Sequence, residues 1–328
     1  MRSLPFLLLA GFFVSANAGD EHAITRLDKR MDDLVPADAV LEKIGEGFTW
    51  VEGPVWDRKN NVLLFSDIPA NAIMRWKEGK GIDVFMKPSG YTGAKPFTGR
   101  EPGSNGLTFD HQERLLLCEH GDRRVTRVER DGEKSVLADR YDGKRFNSPN
   151  DLVVAANGDI YFTDPPFGLP GTFNDPGREL DFCGVYRIAS DGVHLVIRDI
   201  KAPNGIGLSP DGKTLYVTDV DGEHPRWMAY DVEADGSVSH ARIFHDGLPF
   251  KGTAPGAPDG LKIDQNGNVF GSGPGGIYVF APDGTHLGTI RTGVATSNCG
   301  WGEDGSTLFI TADKAVYRIR LTTKGEGY

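Results

Sequence analysis

Cysteine is scarce in this sequence, which has only Cys118, Cys183 and Cys299 among its 328 residues. Three thiols can form one bridge at most, which excludes a disulfide-dense scaffold. Whether any pair is bridged stays open at this point. The chain has no Cys-x-x-Cys pair and its cysteines are far apart, so they do not indicate a zinc site.

Positive charge is also in deficit, because 36 Lys and Arg residues face 46 Asp and Glu residues and the net charge is −10. Nucleic acids and anionic membranes attract basic surfaces, so we expect neither as a partner. The chain also lacks a Gly-x-Ser-x-Gly elbow. A serine-hydrolase role for Ser148 is therefore not expected.

Long hydrophobic runs are missing, apart from residues 4–14 near the N-terminus. That run is too short to span a membrane. It follows Arg2 and precedes the small residues of 15–18, an order typical of a cleaved secretory signal. We therefore expect residues 1–18 to be a signal peptide and the mature protein to be periplasmic or secreted, with no membrane association after cleavage. An uncleaved anchor is the alternative.

Glycine and proline, in contrast, are plentiful, with 43 and 20 copies. Ten Asp-Gly and four Asn-Gly pairs mark tight turns between short β-rich runs. Six such runs recur at spacings of about 40 to 55 residues, the pattern of propeller blades. They are residues 61–67, 114–120, 158–164, 213–219, 268–272 and 306–312.

This pattern predicts an all-β fold, a six-bladed β-propeller over residues 40–322, with two β-sandwich domains as the alternative. Residues 19–39 are expected to form an N-terminal arm or short helix, and residues 323–328 a C-terminal tail. Residues 41–44 are expected to form the strand that completes the C-terminal blade and closes the ring.

Six polar residues share one register in these repeats, each 14 or 15 positions before the end of the β-rich run. They are Glu52, Asn105, Asn150, Asn204, Asp259 and Asn298, where Asp259 is counted to Gly273, directly after its run. Equivalent positions in a propeller are related by rotation about the central channel, so these side chains should converge on its axis. Two carboxylates with several carboxamide oxygens suit Ca²⁺, and also Mg²⁺ or Mn²⁺. Each residue taken alone could instead be a plain turn residue.

The motifs around this register resemble the SMP-30/gluconolactonase/LRE family, and within it the bacterial gluconolactonases. The resemblance covers residues 40–320 and is carried by residues 51–56 (Val-Glu-Gly-Pro-Val-Trp), 147–152 (Asn-Ser-Pro-Asn-Asp-Leu), 203–206 (Pro-Asn-Gly-Ile) and 258–260 (Pro-Asp-Gly). The bacterial gluconolactonases are matched further by residues 48–54, 118–121 and 161–168. The family fold is a six-bladed propeller with one divalent cation at the channel mouth.

Carried over by motif, the resemblance implies Glu52, Asn150, Asn204 and Asp259 as metal ligands. It implies Asp259 as the base or water-orienting residue as well, although residue chemistry alone does not separate Asp259 from Glu52.

Three further residues are expected to bind substrate: Asn105, His120 and Arg100. Asn105 would face the substrate beside the ion, and His120 could either bind sugar hydroxyls or be structural. Some animal relatives place a substrate-binding Arg two residues before the Asn of the second blade, where this chain has Gly103. Arg100 lies nearby but out of that register.

The expected function is hydrolysis of a sugar lactone, glucono-1,5-lactone or a related aldonolactone, to the aldonic acid. One divalent cation would assist, with Ca²⁺ favoured and Mg²⁺, Mn²⁺, Zn²⁺ or Fe²⁺ as alternatives. The expected partner is the small-molecule lactone, and the sequence does not indicate an oligomeric state. Two alternatives stay open: an organophosphate or other ester hydrolase on the same propeller, and a non-catalytic, metal-stabilised propeller that binds a sugar or a protein.

Overall fold

Antiparallel sheets of four short strands follow one another along the chain in the computed structural model, which describes residues 23–328. The expected signal peptide, residues 1–18, lies outside the described residues. The first described elements are β1 (Ile24–Arg26), helix α1 (Arg30–Leu34) and β2 (Glu42–Glu46). The expected arm or short helix over residues 19–39 therefore contains, in its described part, both a strand and a helix.

The first three blades are formed by strands that are consecutive in the chain. Blade 1 contains β3 (Val51–Asp57), β4 (Val62–Asp67), β5 (Ala72–Lys77) and β6 (Gly81–Met86). Blade 2 contains β7 (Ser104–Phe109), β8 (Leu115–Glu119), β9 (Arg124–Val128) and β10 (Lys134–Ala138). A small hairpin follows, made of β11 (Arg140–Tyr141) and β12 (Lys144–Arg145). Blade 3 contains β13 (Leu152–Val154), β14 (Ile160–Asp164), β15 (Cys183–Ala189) and β16 (Gly192–Ile200).

The last three blades continue the pattern. Blade 4 contains β17 (Pro203–Leu208), β18 (Thr214–Asp219), β19 (Arg226–Val232) and β20 (Val238–Asp246). Blade 5 contains β21 (Leu261–Ile263), β22 (Val269–Gly273), β23 (Gly276–Phe280) and β24 (His286–Arg291). Blade 6 contains β25 (Thr296–Gly302), β26 (Thr307–Ala312) and β27 (Ala315–Arg320). Two short 3₁₀ turns lie in the connecting loops, at Thr172–Asn174 and Leu248–Phe250.

The N-terminal segment closes the ring. Strand β2 pairs antiparallel with β27 and supplies the fourth strand of blade 6, which confirms the expectation for residues 41–44. Strand β1 pairs with β24 and adds a fifth strand to blade 5. The first strands of successive blades contact one another around the whole ring. The prediction of a six-bladed propeller is confirmed.

The hydrophobic core lies between neighbouring blades. Blades 1 and 6, for example, meet through Trp56 and Phe309, whose rings stack at 5.3 Å between centroids. Such inter-blade packing explains why β-rich, aromatic runs recur once per blade. All three cysteines are buried and free, so no disulfide contributes to the fold. Within residues 23–328 no helix has the length and hydrophobicity that a membrane span requires.

Candidate active site

The six in-register polar residues, from here on called the polar ring, lie where the innermost strands begin. Glu52, Asn105, Asn204 and Asn298 are within the first residues of β3, β7, β17 and β25. Asn150 and Asp259 each stand two positions before an innermost strand, β13 and β21. All are buried except Asp259, which keeps partial exposure to solvent. The ring of innermost strands therefore gathers these residues around one end of the central channel.

The close approach of neighbouring blades explains the glycines that follow several of these residues. A Cβ on Gly205 would lie 2.3 Å from the carbonyl oxygen of Asp259, and one on Gly106 would lie 2.7 Å from that of Asn150. The amide nitrogens of both glycines donate hydrogen bonds to the same two carbonyls, at 3.2 and 2.7 Å. A side chain at either position would break these inter-blade contacts.

Hydroxyl groups from the second strand of a blade hold the backbone of the next blade. Ser66 donates to the carbonyl of Asn105 at 2.9 Å, and Thr163 to that of Asn204 at 2.6 Å. Thr218 donates to the carbonyl of Asp259 at 2.7 Å. Sequence reasoning missed these positioning hydroxyls. A signal was present, because each hydroxyl residue directly precedes the last residue of a β-rich run.

Glu52 is held more firmly than Asp259. Glu52 Oε2 accepts hydrogen bonds from the Gly53 amide at 2.6 Å and from Asn298 Nδ2 at 3.0 Å. The side chain of Asn204 lies near the Asp259 carboxylate and opposes the rise in its pKa. Oδ1 of Asn298 accepts a hydrogen bond from the Cys299 amide, at 2.8 Å. Although in register, Asn298 thus serves Glu52 as a hydrogen-bond donor.

The site holds more carboxyl groups than cationic side chains. Burial, followed by the repulsion of Asp151, raises the pKa of Glu52 above its usual range. Burial, followed by the charges of Glu52, Asp151 and Glu101, raises the pKa of Asp259 as well. Mutual repulsion of buried carboxylates is relieved when a cation binds between them.

Asp151 and Lys262 are functional candidates that sequence reasoning missed. Asp151 occupies the position that is glycine after Glu52, Asn105, Asn204 and Asp259, and Asn298 Nδ2 lies 3.4 Å from its Oδ2. The ammonium of Lys262, from β21, lies 3.7 Å from the same oxygen. The ammonium opposes the rise in the pKa of Glu52. Lys262 therefore offsets part of the negative charge that Asp151 adds next to the polar ring.

The remaining expected residues lie on one side of the ring. His120 is fully buried, and its Nε2 lies 3.4 Å from Asn105 Nδ2. The Oδ1 atom of Asn105 is buried and has no hydrogen-bond partner among the described residues. Arg100 is exposed, and within residues 23–328 it makes no hydrogen bond or ion pair with another side chain. The structure therefore brings Asn105 and His120 together, while Arg100 makes no comparable contact.

The donor set fits a hard divalent cation. Glu52 and Asp259 provide carboxylates, and Asn150 and Asn204 provide carboxamides, at or two positions before the start of innermost strands. In the described part of the chain, no three His, Cys, Asp or Glu side chains form a cluster suited to a metal ion. A site of two carboxylates completed by carboxamides does not need such a cluster.

A separate cavity of about 500 Å³ opens at the opposite end of the channel, where the innermost strands finish. Its walls include Leu107, Leu152 and Ile206, and Lys262 lies at its boundary with the polar ring. The C-terminal Tyr328 also lines this cavity, and its hydroxyl donates to the carbonyl of Trp301 at 2.9 Å.

A family model and several known proteins are similar to this chain. Residues 50–314 match the model of the SMP-30/gluconolactonase/LRE-like region. A gluconolactonase of Zymomonas mobilis subsp. mobilis is 41% identical over 312 residues, covering 92% of this chain and 87% of that protein. A pentonolactonase of Haloferax volcanii is 29% identical over 266 residues, covering 79% and 80%. The solved structure of a gluconolactonase from Xanthomonas campestris superposes with a TM-score of 0.78 at 33% identity, covering 91% and 94%.

Proposed function

The chain belongs to the SMP-30/gluconolactonase/LRE-like family and is a lactonase, and from this premise we propose that it opens glucono-1,5-lactone or a related aldonolactone with the help of one divalent cation. The observation that supports the proposal is that Glu52, Asn150, Asn204 and Asp259 lie at or two positions before the start of innermost strands, on the same end of the channel. These oxygens form a hard-ligand set, and the choice of Ca²⁺ as the ion rests on that chemistry.

The chemistry of lactone opening defines what the residues must do. A bound cation would polarise the lactone carbonyl and stabilise the oxyanion of the tetrahedral intermediate. Water adds to the carbonyl carbon, the bond from that carbon to the ring oxygen breaks, and the ring oxygen takes a proton. The chain must therefore hold the lactone, remove a proton from the water and return one to the ring oxygen.

Asp259 is the residue we assign to the proton transfer. Asp259 is the one residue of the proposed ligand set that is not fully buried, while Oε2 of Glu52 is occupied by two hydrogen-bond donors. Burial and neighbouring negative charge raise the pKa of Asp259, and a bound cation would oppose this rise and keep the carboxylate ionised, as a proton acceptor must be. Glu52 is left with the role of an anchored ligand.

We expect Asp259→Asn to lower kcat for glucono-1,5-lactone by at least about 100-fold, the usual range for loss of a general base. The measurement is acid release in a pH-stat, corrected for spontaneous hydrolysis of the lactone. Asp191→Asn, the same chemical change at an exposed turn, serves as the control and should be indistinguishable from wild type. A folded Asp259→Asn protein with near-normal kcat would remove Asp259 from this role.

We further expect that chelation with EDTA abolishes hydrolysis and that a Ca²⁺ titration restores it, because the buried carboxylates cannot replace the Lewis acid. Parallel titrations with Mg²⁺, Mn²⁺, Zn²⁺ and Fe²⁺ identify the preferred ion. Full activity in protein shown by elemental analysis to be metal-free would contradict the metal-dependent part of the proposal. It would leave lactone hydrolysis itself intact.

Export to the periplasm or the medium is proposed from residues 1–18 alone. N-terminal sequencing of the protein expressed from its full gene should begin at Gly19. Recovery of the intact N-terminus in the cytoplasm would contradict it.

A further inference from the structure

Blade 2 departs from the other blades at the last residue of its β-rich run. In blades 1, 3 and 4 this residue is Asp67, Asp164 or Asp219, and its carboxylate accepts backbone N–H groups from the segment before the innermost strand. In blade 2 it is His120, which is fully buried. Its ring lies between two other polar side chains.

One ring nitrogen of His120 faces a carboxylate. Nδ1 lies 2.9 Å from Oε2 of Glu101, in an ion-pair contact that is bent away from hydrogen-bond geometry. An ionised carboxylate can only accept hydrogen bonds, and an unprotonated Nδ1 at this distance would set two lone pairs against each other. Nδ1 must therefore carry a hydrogen.

The other ring nitrogen then decides how Asn105 is oriented. In a neutral imidazole with hydrogen on Nδ1, Nε2 is an acceptor. The carboxamide nitrogen of Asn105 lies 3.4 Å from Nε2 and can donate to it. The carboxamide oxygen is then turned away from His120, and it is the buried atom that has no partner within residues 23–328.

With hydrogen on Nε2 the same side chains would arrange themselves in the opposite sense. Asn105 would turn its oxygen toward His120, and its NH₂ group would face the polar ring instead. The tautomer of His120 therefore determines whether the polar ring receives a hydrogen-bond acceptor or a donor at Asn105.

We propose that Glu101 is a positioning residue that acts through His120 to fix Asn105 with its oxygen toward the polar ring, where this oxygen accepts a hydrogen bond from a hydroxyl group of the substrate. The inference rests on the proposed function for the identity of that substrate, a polyhydroxylated lactone. It gives His120 an indirect role in substrate binding. Asn105 makes the contact, and the side chain of Glu101, 28% exposed at the rim, sets its direction.

Two variants of Glu101 separate this role from a merely structural one. Glu101→Gln keeps an acceptor oxygen for Nδ1–H, whereas Glu101→Met has similar size and no acceptor. We expect a two-bond ¹H–¹⁵N correlation spectrum to show His120 protonated at Nδ1 in the wild type and in Glu101→Gln. In Glu101→Met the proton should move to Nε2. The resonance is assigned by its loss in His120→Asn. A wild-type spectrum with hydrogen on Nε2 would overturn the proposal.

The kinetic expectation follows from the loss of one hydrogen bond to substrate. Glu101→Met should raise KM for glucono-1,5-lactone about fivefold to tenfold with kcat nearly unchanged, while Glu101→Gln stays within about twofold of wild type. Because Glu101 acts only through Asn105, the double variant Glu101→Met/Asn105→Leu should have the same KM as Asn105→Leu alone. Additive effects, or an unchanged KM in Glu101→Met, would contradict the proposal.

Failure of the proposed function would look different. If the wild type hydrolysed no aldonolactone, the lactone assignment and the hydroxyl contact would both fall. The spectrum would still decide whether Glu101 fixes the His120 tautomer, since it requires no substrate.

Discussion

Asn298 and Lys262 oppose the electrostatic cost of burying Glu52. The carboxamide of Asn298 donates to Glu52 at 3.0 Å, and the ammonium of Lys262 lies 3.7 Å from Asp151, the residue whose charge most strongly repels Glu52. Neither residue is among the expected ligands. Both act on the proposed ligands and not on the ion itself, as groups that orient or neutralise metal-binding side chains commonly do.

At the residue scale, we predict that Asn298→Ala weakens Ca²⁺ binding by about tenfold, because Glu52 loses the donor that orients it. Isothermal titration calorimetry of the chelated protein measures the change without relying on activity. The same substitution at the exposed turn residue Asn157 is the control and should leave affinity unaltered. Equal Kd values for both variants would show that Glu52 needs no such support.

At the scale of elements, the site depends on how closely the innermost strands approach one another. Gly106 and Gly205 donate to the backbone of the next blade from positions with no room for a Cβ. Blade 3 has Asp151 at the equivalent position, and its side chain extends to Asn298 and Lys262 instead. Asp151, which stands in place of a glycine, thus adds a negative charge next to the polar ring.

We predict that Gly205→Ala lowers the free energy of unfolding by about 1 to 3 kcal/mol, because the methyl group would overlap the backbone of Asp259. Gly222→Ala is the matched control, since a Cβ there meets nothing within 4 Å. It should change stability by less than about 0.5 kcal/mol. Urea denaturation followed by tryptophan fluorescence distinguishes the two. Equal midpoints would mean that the strands can separate at little cost.

At the scale of the whole molecule, the ring is closed by joining the two ends of the described chain. Strand β2 completes blade 6 and β1 extends blade 5, while α1 packs Met31 and Leu34 onto the core that these two blades share. Arg26 adds hydrogen bonds to the carbonyls of Val35 and Pro36. The N-terminal arm is therefore part of the closure of the propeller.

Met31→Ala should consequently cost about 2 to 5 kcal/mol of stability, because a fully buried side chain is removed from the joint between the blades. Leu27→Ala removes an apolar side chain of the same segment that is 61% exposed, and it should have little effect. Thermal unfolding of both variants provides the comparison. If Met31→Ala unfolds at the wild-type temperature, the arm does not help to hold the ring together.

The amino-acid sequence by itself determined the architecture and the register of the polar ring. Asp-Gly and Asn-Gly turns and alternating β-rich runs are local signals, and their sixfold recurrence predicts blades around an axis. The same recurrence placed Glu52, Asn105, Asn150, Asn204, Asp259 and Asn298 at the start of the innermost strands. The propeller and the strand that closes blade 6 are both confirmed.

Only the tertiary structure decided which atoms of these residues meet. Asn298 and Glu52 are 246 residues apart in the chain, and their hydrogen bond depends on the closing of the ring. The contacts of Asp151 with Lys262 and of Glu101 with His120 follow no repeat, since each pair occurs once in the described structure. A repeated sequence predicts what the blades share. Residues that differ between blades, such as Asp151 and His120, make their contacts only in the folded propeller, because folding brings distant parts of the chain together around one channel.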